Sequence, residues 1–580
     1  MRRFIVYVPF VLIIVTTAAT AEVSTTAKIE ADLQAGRISY ESSLLYKAYS
    51  LFEPSRLPPT YRSPDVARKS GTPIIMELKS NWELLSVSAR EYLEPYLSRP
   101  VPGEQVITPS GKFVVHYYTS GGDAVDPSDQ DRNGIPDYID TVAAIFDSCY
   151  TLIVKDLGYK EPPSDGTRGG GPEFDVYVRD LSGRRVYGYT TPERPVPPGF
   201  AYTSFIEVDN DYQDPVYRSS RGLDALRVTA AHEFFHAVQF SYYAGDDARW
   251  WMEISSTWME DVAYDEVNDY YAYLGYFFNY PGTSLDVLND QHEYGASIFA
   301  HYLAKRFGAD TIRRIWEKIG QEGNAEMGIF DEIIPGGLAE AMSEFAIWNY
   351  YTGSRADPVR YYPEGEFYPE ISVTAIHNSY PASGSGKVDH LASNYIRLIP
   401  QRTAGGLKVN PQGERGQWTY QLVTFPRREE VPDPTEIMDW DRYQDIVLVL
   451  TVTSFRGKGF RYSYWAEFDS DLTEKPLPLV AVLKQNRPNP FLPGQTGGTT
   501  IPFDLTKPGD VVIAIYSLNG QLVKREELNR LDGGSNSYYW DGRNQKGRPV
   551  ASGVYFYRIQ IHSDSQTDDF TAVRKMSLVR

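Results

Sequence analysis

Apolar positions fall into four successive regimes along the chain. Over residues 27–52 and 74–97 they recur at helical spacing on either side of a Pro-rich stretch, 54–64. From residue 111 to about 355 the pattern changes. Alternation comes first, at 112–118, 174–179 and 205–209, and predicts strands. Helical periodicity follows over 223–243, 250–278, 294–307, 311–319 and 338–351. Strands first and helices after predict an α+β domain. From about 365 to 475 the chain reads as β, with a strand pair predicted at 445–455 and 459–468 around Arg456-Gly457-Lys458. A stretch dense in Pro and Gly, 473–499, predicts a linker. Beyond it come short strands at 511–518, 552–560 and 571–579. The first of these meets Asn519-Gly520, the strongest short hairpin signal, and the whole predicts a β-sandwich. The expected architecture is multidomain. It comprises a helical region or propeptide at 22–104, an α+β domain at 105–360, a β-sandwich module at 361–475, a linker at 476–499 and a second β-sandwich module at 500–580.

The first residues are a separate matter. Arg2 and Arg3 precede an apolar run at 4–15, and Ala19-Thr20-Ala21 follows. This layout predicts a secretory signal peptide, residues 1–21, cleaved after Ala21. The run is shorter than the roughly 20 residues a bilayer-spanning helix needs. An exported chain of 580 residues with a single cysteine cannot be a disulfide scaffold or carry a Cys-rich zinc site. Cys149 falls in an apolar helical stretch and reads as a buried, inert thiol. Losing Arg2 and Arg3 with the signal lowers the formal charge by two, from −19 to −21. That balance disfavours nucleic acid or anionic lipid as a partner and suits cation binding outside the cell.

With eight histidines in the chain, each can be weighed. His232-Glu233-Phe234-Phe235-His236 is an H-E-x-x-H motif inside an apolar helical pattern. Residues four apart share a helix face, so both imidazoles can reach one Zn²⁺, and Glu233 stands where a carboxylate can take a proton from water. A third ligand is expected downstream, where Glu253 and Glu260 lie seven apart on one helix face. A role for Glu260 or Asp261 in holding a His nitrogen is the other option. Tyr294, with His292 and His301 nearby, is a candidate donor to an oxyanion. His116, His377, His390 and His562 have no partner motif.

A second signature lies upstream. Asp129, Asp131, Asn133, Ile135, Asp137 and Asp140 occupy positions 1, 3, 5, 7, 9 and 12 of a D-x-[DN]-x-[DN]-G loop, with Gly134 at the sharp turn. Hard carboxylate oxygens suit Ca²⁺. Ile135 would contribute its carbonyl, and Asp140 replaces the longer Glu usual at position 12. A structural Ca²⁺ is expected.

Residues of about 105–355 resemble a group of secreted bacterial metalloproteases of the glutamate-ligand (gluzincin) type. The matching stretches are 113–121, 133–138, 232–240 and 250–261. The resemblance implies a zincin-like catalytic domain, His232 and His236 as zinc ligands, and Glu233 as base. The Trp250-x-x-Glu253 context is similar to the family's W-x-x-E-G-x-A pattern and favours Glu253 as third ligand. Ile254-Ser255 departs from that pattern and leaves Glu260 as the alternative. Residues of about 485–580 resemble immunoglobulin-like C-terminal modules of secreted bacterial proteins, of the flagellar hook-capping and type A sorting kinds. The resemblance rests on Asn486-Arg487-Pro488-Asn489-Pro490-Phe491, Trp540-Asp541-Gly542 and Gly553-Val554-Tyr555-Phe556-Tyr557. The expected function is that of a secreted zinc endopeptidase acting on peptide or protein, at the outer surface or in the medium. A surface-binding or adhesion protein with an inactive zincin domain is the alternative. A zinc hydrolase of another substrate class is a third reading.

Overall fold

The computed structural model describes residues 24–62, 67–101, 103–426, 435–473, 481–506, 508–562 and 570–580. The predicted signal peptide lies outside the described residues. The chain divides into two compact units, 1–471 and 472–580.

Four helices open the first unit. They are α1 (Thr25–Gln34), α2 (Tyr40–Phe52), α3 (Thr72–Ser80) and α4 (Val87–Leu93). Ser24, Ser39 and Ser86 cap α1, α2 and α4 by accepting first-turn backbone N–H groups. Pro73 sits in the first turn of α3, where its missing N–H costs nothing. A three-residue strand, β1 (Arg68–Ser70), leads into α3.

The strands of the α+β region are β2 (Glu104–Ile107), β3 (Phe113–Tyr117), β4 (Phe174–Arg179), β5 (Val186–Val196) and β6 (Ala201–Asp209). With β1 they form one sheet in the order β1-β5-β6-β4-β3-β2. β3, β4 and β6 run parallel, and β5 returns antiparallel to β6. β1 joins the β5 edge in parallel register. Alternation sorts the side chains. Val115, Val176, Val178, Ile206 and Val208 face a core shared with α5 (Asp137–Tyr150) and α6 (Gly222–Phe240). Tyr189 of β5 faces the other way, in a cluster with Leu51, Ile75 and Leu78 of α2 and α3.

α6 is buried on every side from Val228 to Phe240, a pattern that only a core helix can carry. α7 (Arg249–Ala263) packs beside it. The helical pattern predicted over 250–278 is interrupted: α7 ends at Ala263, and α8 (Tyr271–Phe278) follows a turn in which Asn268 has φ +50°. α9 (His292–Gly295), α10 (Ile298–Phe307), α11 (Asp310–Glu322), α12 (Met327–Ile333) and α13 (Leu338–Tyr350) complete the helical layer.

Residues 375–469 form two four-stranded sheets. Their orders are β12-β10-β14-β8 and β11-β13-β9-β7. The strands are β7 (Ala375–His377), β8 (Ala382–Val388), β9 (Ala392–Leu398), β10 (Gly406–Gly413), β11 (Trp418–Phe425), β12 (Glu436–Ile437), β13 (Asp445–Val452) and β14 (Phe460–Asp469). The predicted strand pair at 445–468 is corrected here. β13 pairs with β11 and β9, whereas β14 pairs with β10 and β8, so the turn at Arg456-Gly457-Lys458 crosses between sheets. The reason is visible in β13, which is buried on both faces. Ile446, Leu448 and Leu450 fill the space between the two sheets, while Val447 and Val449 join the helical core. A strand clamped between two layers reads as a continuous apolar run. The module is thus part of the first unit, tied also by the Tyr395 hydroxyl donating to the Ala346 carbonyl at 2.8 Å.

The second unit holds β15 (Ala481–Leu483), β16 (Thr499–Leu505), β17 (Gly509–Ser517), β18 (Leu522–Leu531), β19 (Gly534–Trp540), β20 (Gly553–His562) and β21 (Phe570–Leu578). They form two sheets, β15-β16-β19 and β18-β17-β20-β21. The Asn519-Gly520 turn joins β17 to β18 as an antiparallel pair, with Gly520 at φ +77°. The stretch predicted as a linker is partly structural. β15 pairs with β16, and Phe491 is fully buried against Trp540. No helix among the described residues is long and apolar enough to cross a membrane.

Candidate metal centre

α6 presents His232 and His236 one turn apart toward α7, with ring centroids 4.6 Å from each other. Both are buried, as are Glu233, Glu253 and Glu260; none of the five is more than 2 % exposed. Glu253, on the first turns of α7, stands between the imidazoles. Its carboxylate lies 3.0 Å from His236 Nε2 and 3.4 Å from His232 Nε2.

The outer nitrogens are already committed. His236 Nδ1 is 2.8 Å from Gln239 Oε1, and the Gln239 amide nitrogen donates to the Met252 carbonyl and to Ser255 and Ser256. That orientation leaves Gln239 Oε1 as an acceptor, so Nδ1 carries the proton and Nε2 offers its lone pair inward. His232 Nδ1 is held 2.6 Å from Glu260 Oε1. Glu260 is in turn paired at 2.7 Å with Lys69, which also pairs with Asp269. Each imidazole is therefore oriented by a partner behind it, as metal-ligating histidines are.

What remains is a set of buried polar atoms with no ordinary hydrogen bond: His232 Nε2, His236 Nε2, both Glu253 oxygens and Glu233 Oε1. Buried groups of this kind are costly unless something pairs with them. The titration behaviour points the same way. Burial alone would depress the His232 imidazole, but Glu253 and Glu260 outweigh it and push it up to about 10. Burial alone would raise Glu253, but His236 and His232 pull it down to about 2. The pocket favours positive charge.

Two carboxylates approach the imidazole pair, because a Glu233 oxygen also lies within 4.8 Å of the histidine nitrogens. Their surroundings separate them. Glu233 Oε2 accepts the Thr72 hydroxyl at 3.0 Å and the Thr190 hydroxyl at 2.8 Å, leaving Oε1 free. Glu253 accepts no hydroxyl, and both imidazoles stand beside it. Gly188 on β5 allows this approach, since a Cβ there would come within 2.7 Å of Thr229 Cγ2 and 3.2 Å of Glu233 Cγ.

Tyr294, on α9, brings its ring to 6.4 Å from that of His232, against Tyr273 at 5.3 Å. Burial, with Glu253 nearby, raises its hydroxyl far above the usual range. Asp261 does not reach the cluster; its nearest imidazole is that of His301, 3.7 Å away. His292 binds the Tyr276 carbonyl, His116 binds Asp175, His377 binds Tyr464, and His390 binds Asp286. Of the residues at the cluster that the sequence reading did not single out, Gln239 had a signal, being three residues after His236 on the same helical face. Thr72, Lys69 and Thr190 had none.

The upstream loop is built differently. Oxygens of Asp129, Asp131 and Asp137 lie within 4.8 Å of one another. Backbone N–H groups of Asn133 and Gly134 donate to Asp129, and that of Gln130 donates to Asp137. The Asn133 amide donates to Asp131 and, at 3.0 Å, to Asp140. Gly134 takes φ +87°, the left-handed turn that the motif needs. Asp137 and Asp140 lie on the first turn of α5, and Ile135 packs its side chain against the core. The donor set is hard oxygen, appropriate to Ca²⁺.

Residues 214–328, which hold the whole helical part of this cluster, match a family of unknown function (DUF6055). Residues 492–566 match the FlgD Ig-like domain. Among solved structures, FlgD from P. aeruginosa is 23 % identical, covering 13 % of this chain and 59 % of that one, with a TM-score of 0.12. FlgD from Xanthomonas campestris is also 23 % identical over 17 % and 66 %, TM-score 0.13. PorZ, a surface component of the type-IX secretion system of Porphyromonas gingivalis, is 18 % identical over 20 % and 14 %, TM-score 0.13. The chain spans less than two thirds of each of these three proteins, and no curated protein matches it. What is established is a multidomain α+β chain whose C-terminal module is immunoglobulin-like.

Proposed function

We propose that the first unit is a zincin-type catalytic domain and that the chain is a secreted, zinc-dependent endopeptidase. The observation that carries this reading is the convergence of His232 Nε2, His236 Nε2 and the unpaired Glu253 carboxylate in one buried pocket. Those three residues would hold Zn²⁺, which supplies Lewis acidity at a substrate carbonyl and lowers the pKa of water there. The roles of the surrounding residues follow from their placement. Thr190 fixes one oxygen of Glu233, and Oε1 accepts the proton of the attacking water and delivers it to the leaving amine nitrogen. Tyr294 is the donor to the developing oxyanion. Glu260 keeps the His232 ring in its ligating orientation. Asp129, Asp131, Asn133, the Ile135 carbonyl, Asp137 and Asp140 would hold a structural Ca²⁺ that pins the loop to α5.

The second reading, a surface-binding protein with an inactive zincin domain, draws on the immunoglobulin-like match at 492–566. One experiment separates the two. The purified protein is measured for zinc and assayed on a peptide library beside Glu233→Gln. The peptidase reading expects one zinc in both proteins and a loss of roughly 10³-fold or more in hydrolysis for the variant, the scale of losing an essential base. Full zinc with no hydrolysis under any condition, including displacement of residues 68–72 from beside β5, would leave the binding protein.

A further inference from the structure

Behind His232, against Lys69, Thr229 and Glu260, lies a space of about 10 Å³, roughly enough for one water. None of His232, Glu233, His236 and Glu253 is more than 1 % exposed, so a substrate does not reach the cluster as the chain is folded. What closes it comes from 160 residues upstream. β5 would be the free edge of the sheet, but β1 lies along it in register, Arg68 opposite Val186 and Ser70 opposite Gly188. The Arg68 N–H donates to the Arg185 carbonyl at 2.7 Å, and the Gly71 N–H donates to the Gly188 carbonyl at 3.0 Å. Where β1 gives way to α3, the Thr72 hydroxyl takes over. It accepts the Thr190 backbone N–H at 2.8 Å and donates to Glu233. A short strand from elsewhere in the chain therefore occupies both the backbone groups of the edge and the proposed base.

Strand addition to an exposed sheet edge is a general way to bind an extended peptide. A scissile bond acted on by Glu233 must come within hydrogen-bond distance of it. The β5 edge at Val186–Gly188 leads directly to that carboxylate, as Gly188 shows by standing against Glu233 Cγ. The occupant is also firmly tied. Lys69 pairs with Glu260 and Asp269, Arg68 with Asp290 and, from α3, Glu77 with Arg249. Leu51, Ile75 and Leu78 seal the far side of β5. Fraying alone does not release such a segment.

We infer that the β5 edge beside the cluster is a binding site for an extended peptide strand, that residues 68–72 are its built-in competitor, and that the chain as folded is latent until the segment carrying them is displaced. The latency part of this inference rests on the peptidase reading, whereas the occupancy of the edge does not. Thr72 is a blocking residue on this view, not a helper of Glu233.

The test uses the full chain with a protease recognition sequence inserted between Leu84 and Leu85, next to the exposed Leu84. It is assayed intact, then after cutting and removal of the N-terminal piece in mild denaturant and return to buffer. Two readouts are followed: hydrogen exchange of the Thr190 amide, and hydrolysis of a peptide library. Both are repeated with a synthetic peptide of residues 67–76 added back. The expected result is a rise of at least 100-fold in Thr190 exchange and in hydrolysis, with both reversed by the added peptide. Exchange that rises and is reversed while hydrolysis stays absent keeps the occupied edge and removes the peptidase. Equal hydrolysis before and after cutting keeps the peptidase and overturns the latency. Thr190 exchange unchanged by removal of the piece overturns the edge site itself. Thr72→Val in the uncut chain guards against misfolding of the cut form. Hydrolysis raised above that of the parent agrees with a block, and hydrolysis lowered with intact thermal stability overturns it.

Discussion

The two candidate cation sites sit about a hundred residues apart in sequence and are built on opposite principles. At the α6–α7 cluster the ligand atoms are buried and left unpaired, while the atoms behind them are fully engaged. At the Asp129–Asp140 loop Asp131 is exposed and Asp129, Asp137 and Asp140 are half-buried, and the carboxylates of Asp129, Asp131 and Asp137 already accept backbone N–H groups from their own turn, with one Asp137 oxygen left over. The first site is assembled by tertiary packing, in which α6 and α7 must be brought side by side. The second is assembled by local chain geometry that a dozen residues can carry. A cation should accordingly be integral to the first and an addition to the second.

The largest expected effect is at Glu253. Glu253→Ala removes the carboxylate that stands between the two imidazoles, so zinc affinity should fall by at least 100-fold on titration with a competing chelator. Glu260→Gln should cost less, about 10- to 100-fold, because it weakens the orientation of one ring and leaves all three ligands in place. If Glu260→Gln empties the site and Glu253→Ala does not, the assignment of ligand and support is reversed.

The loop should respond on a smaller scale. Removing Ca²⁺ with a selective chelator, or replacing Asp129 by Ala, should lower the melting temperature by a few degrees. That is the effect of a weak structural ion, worth roughly 1–3 kcal/mol at saturating concentration. Zinc content should not change. A collapse of zinc binding on loss of Ca²⁺ would show that the two sites are coupled rather than independently built.

The same contrast explains what could be read in the sequence. His232 and His236 were legible because a helix fixes which residues share a face, and Glu253 because it lies on the next helix in sequence. The clustering of the Asp129–Asp140 carboxylates was legible because all of them are local in sequence. The closing strand was not. β5 carries Gly188, Pro192 and Pro195, which erase the alternation that marks a strand, and the bulge between Pro192 and Pro195 is how the sheet accommodates them. β1 has three residues, too few for any periodicity. The error at 445–468 has a related cause. A strand buried on both faces shows no alternation to say which neighbour it pairs with, so a short turn looked like a hairpin. Contacts across long sequence separations, such as Thr72 to Glu233, leave no local trace.

The smallest effect concerns a buried imidazole that needs no metal, and it tests whether burial beside a carboxylate is enough to make a cation site. His390 lies 3.0 Å from Asp286 through Nε2 and 2.7 Å from the Gly457 carbonyl through Nδ1, joining the helical layer to the β-sheets that follow it. Both ring nitrogens face acceptors, so the protonated ring satisfies all three groups. Burial would lower His390, but Asp286 outweighs it and raises it above 6.5; burial would raise Asp286, but His390 and Ser284 hold it below 3.8. A raised histidine stabilises the fold fully below its unfolded pKa and loses that contribution as pH climbs through the folded value. A depressed carboxylate stabilises above its unfolded pKa and loses that contribution as pH falls through the folded value. The pair should therefore add most between about pH 4 and 6.5, on the order of 1 kcal/mol, and progressively less as pH climbs through the folded value of His390. Urea denaturation of the parent and His390→Gln should show a stability gap that narrows as pH rises above 6, in chelator and in zinc alike. A gap that is constant with pH, or that depends on metal, would put His390 in the same class as His232 and His236 and remove the distinction between a proton-bridged pair and a cation site.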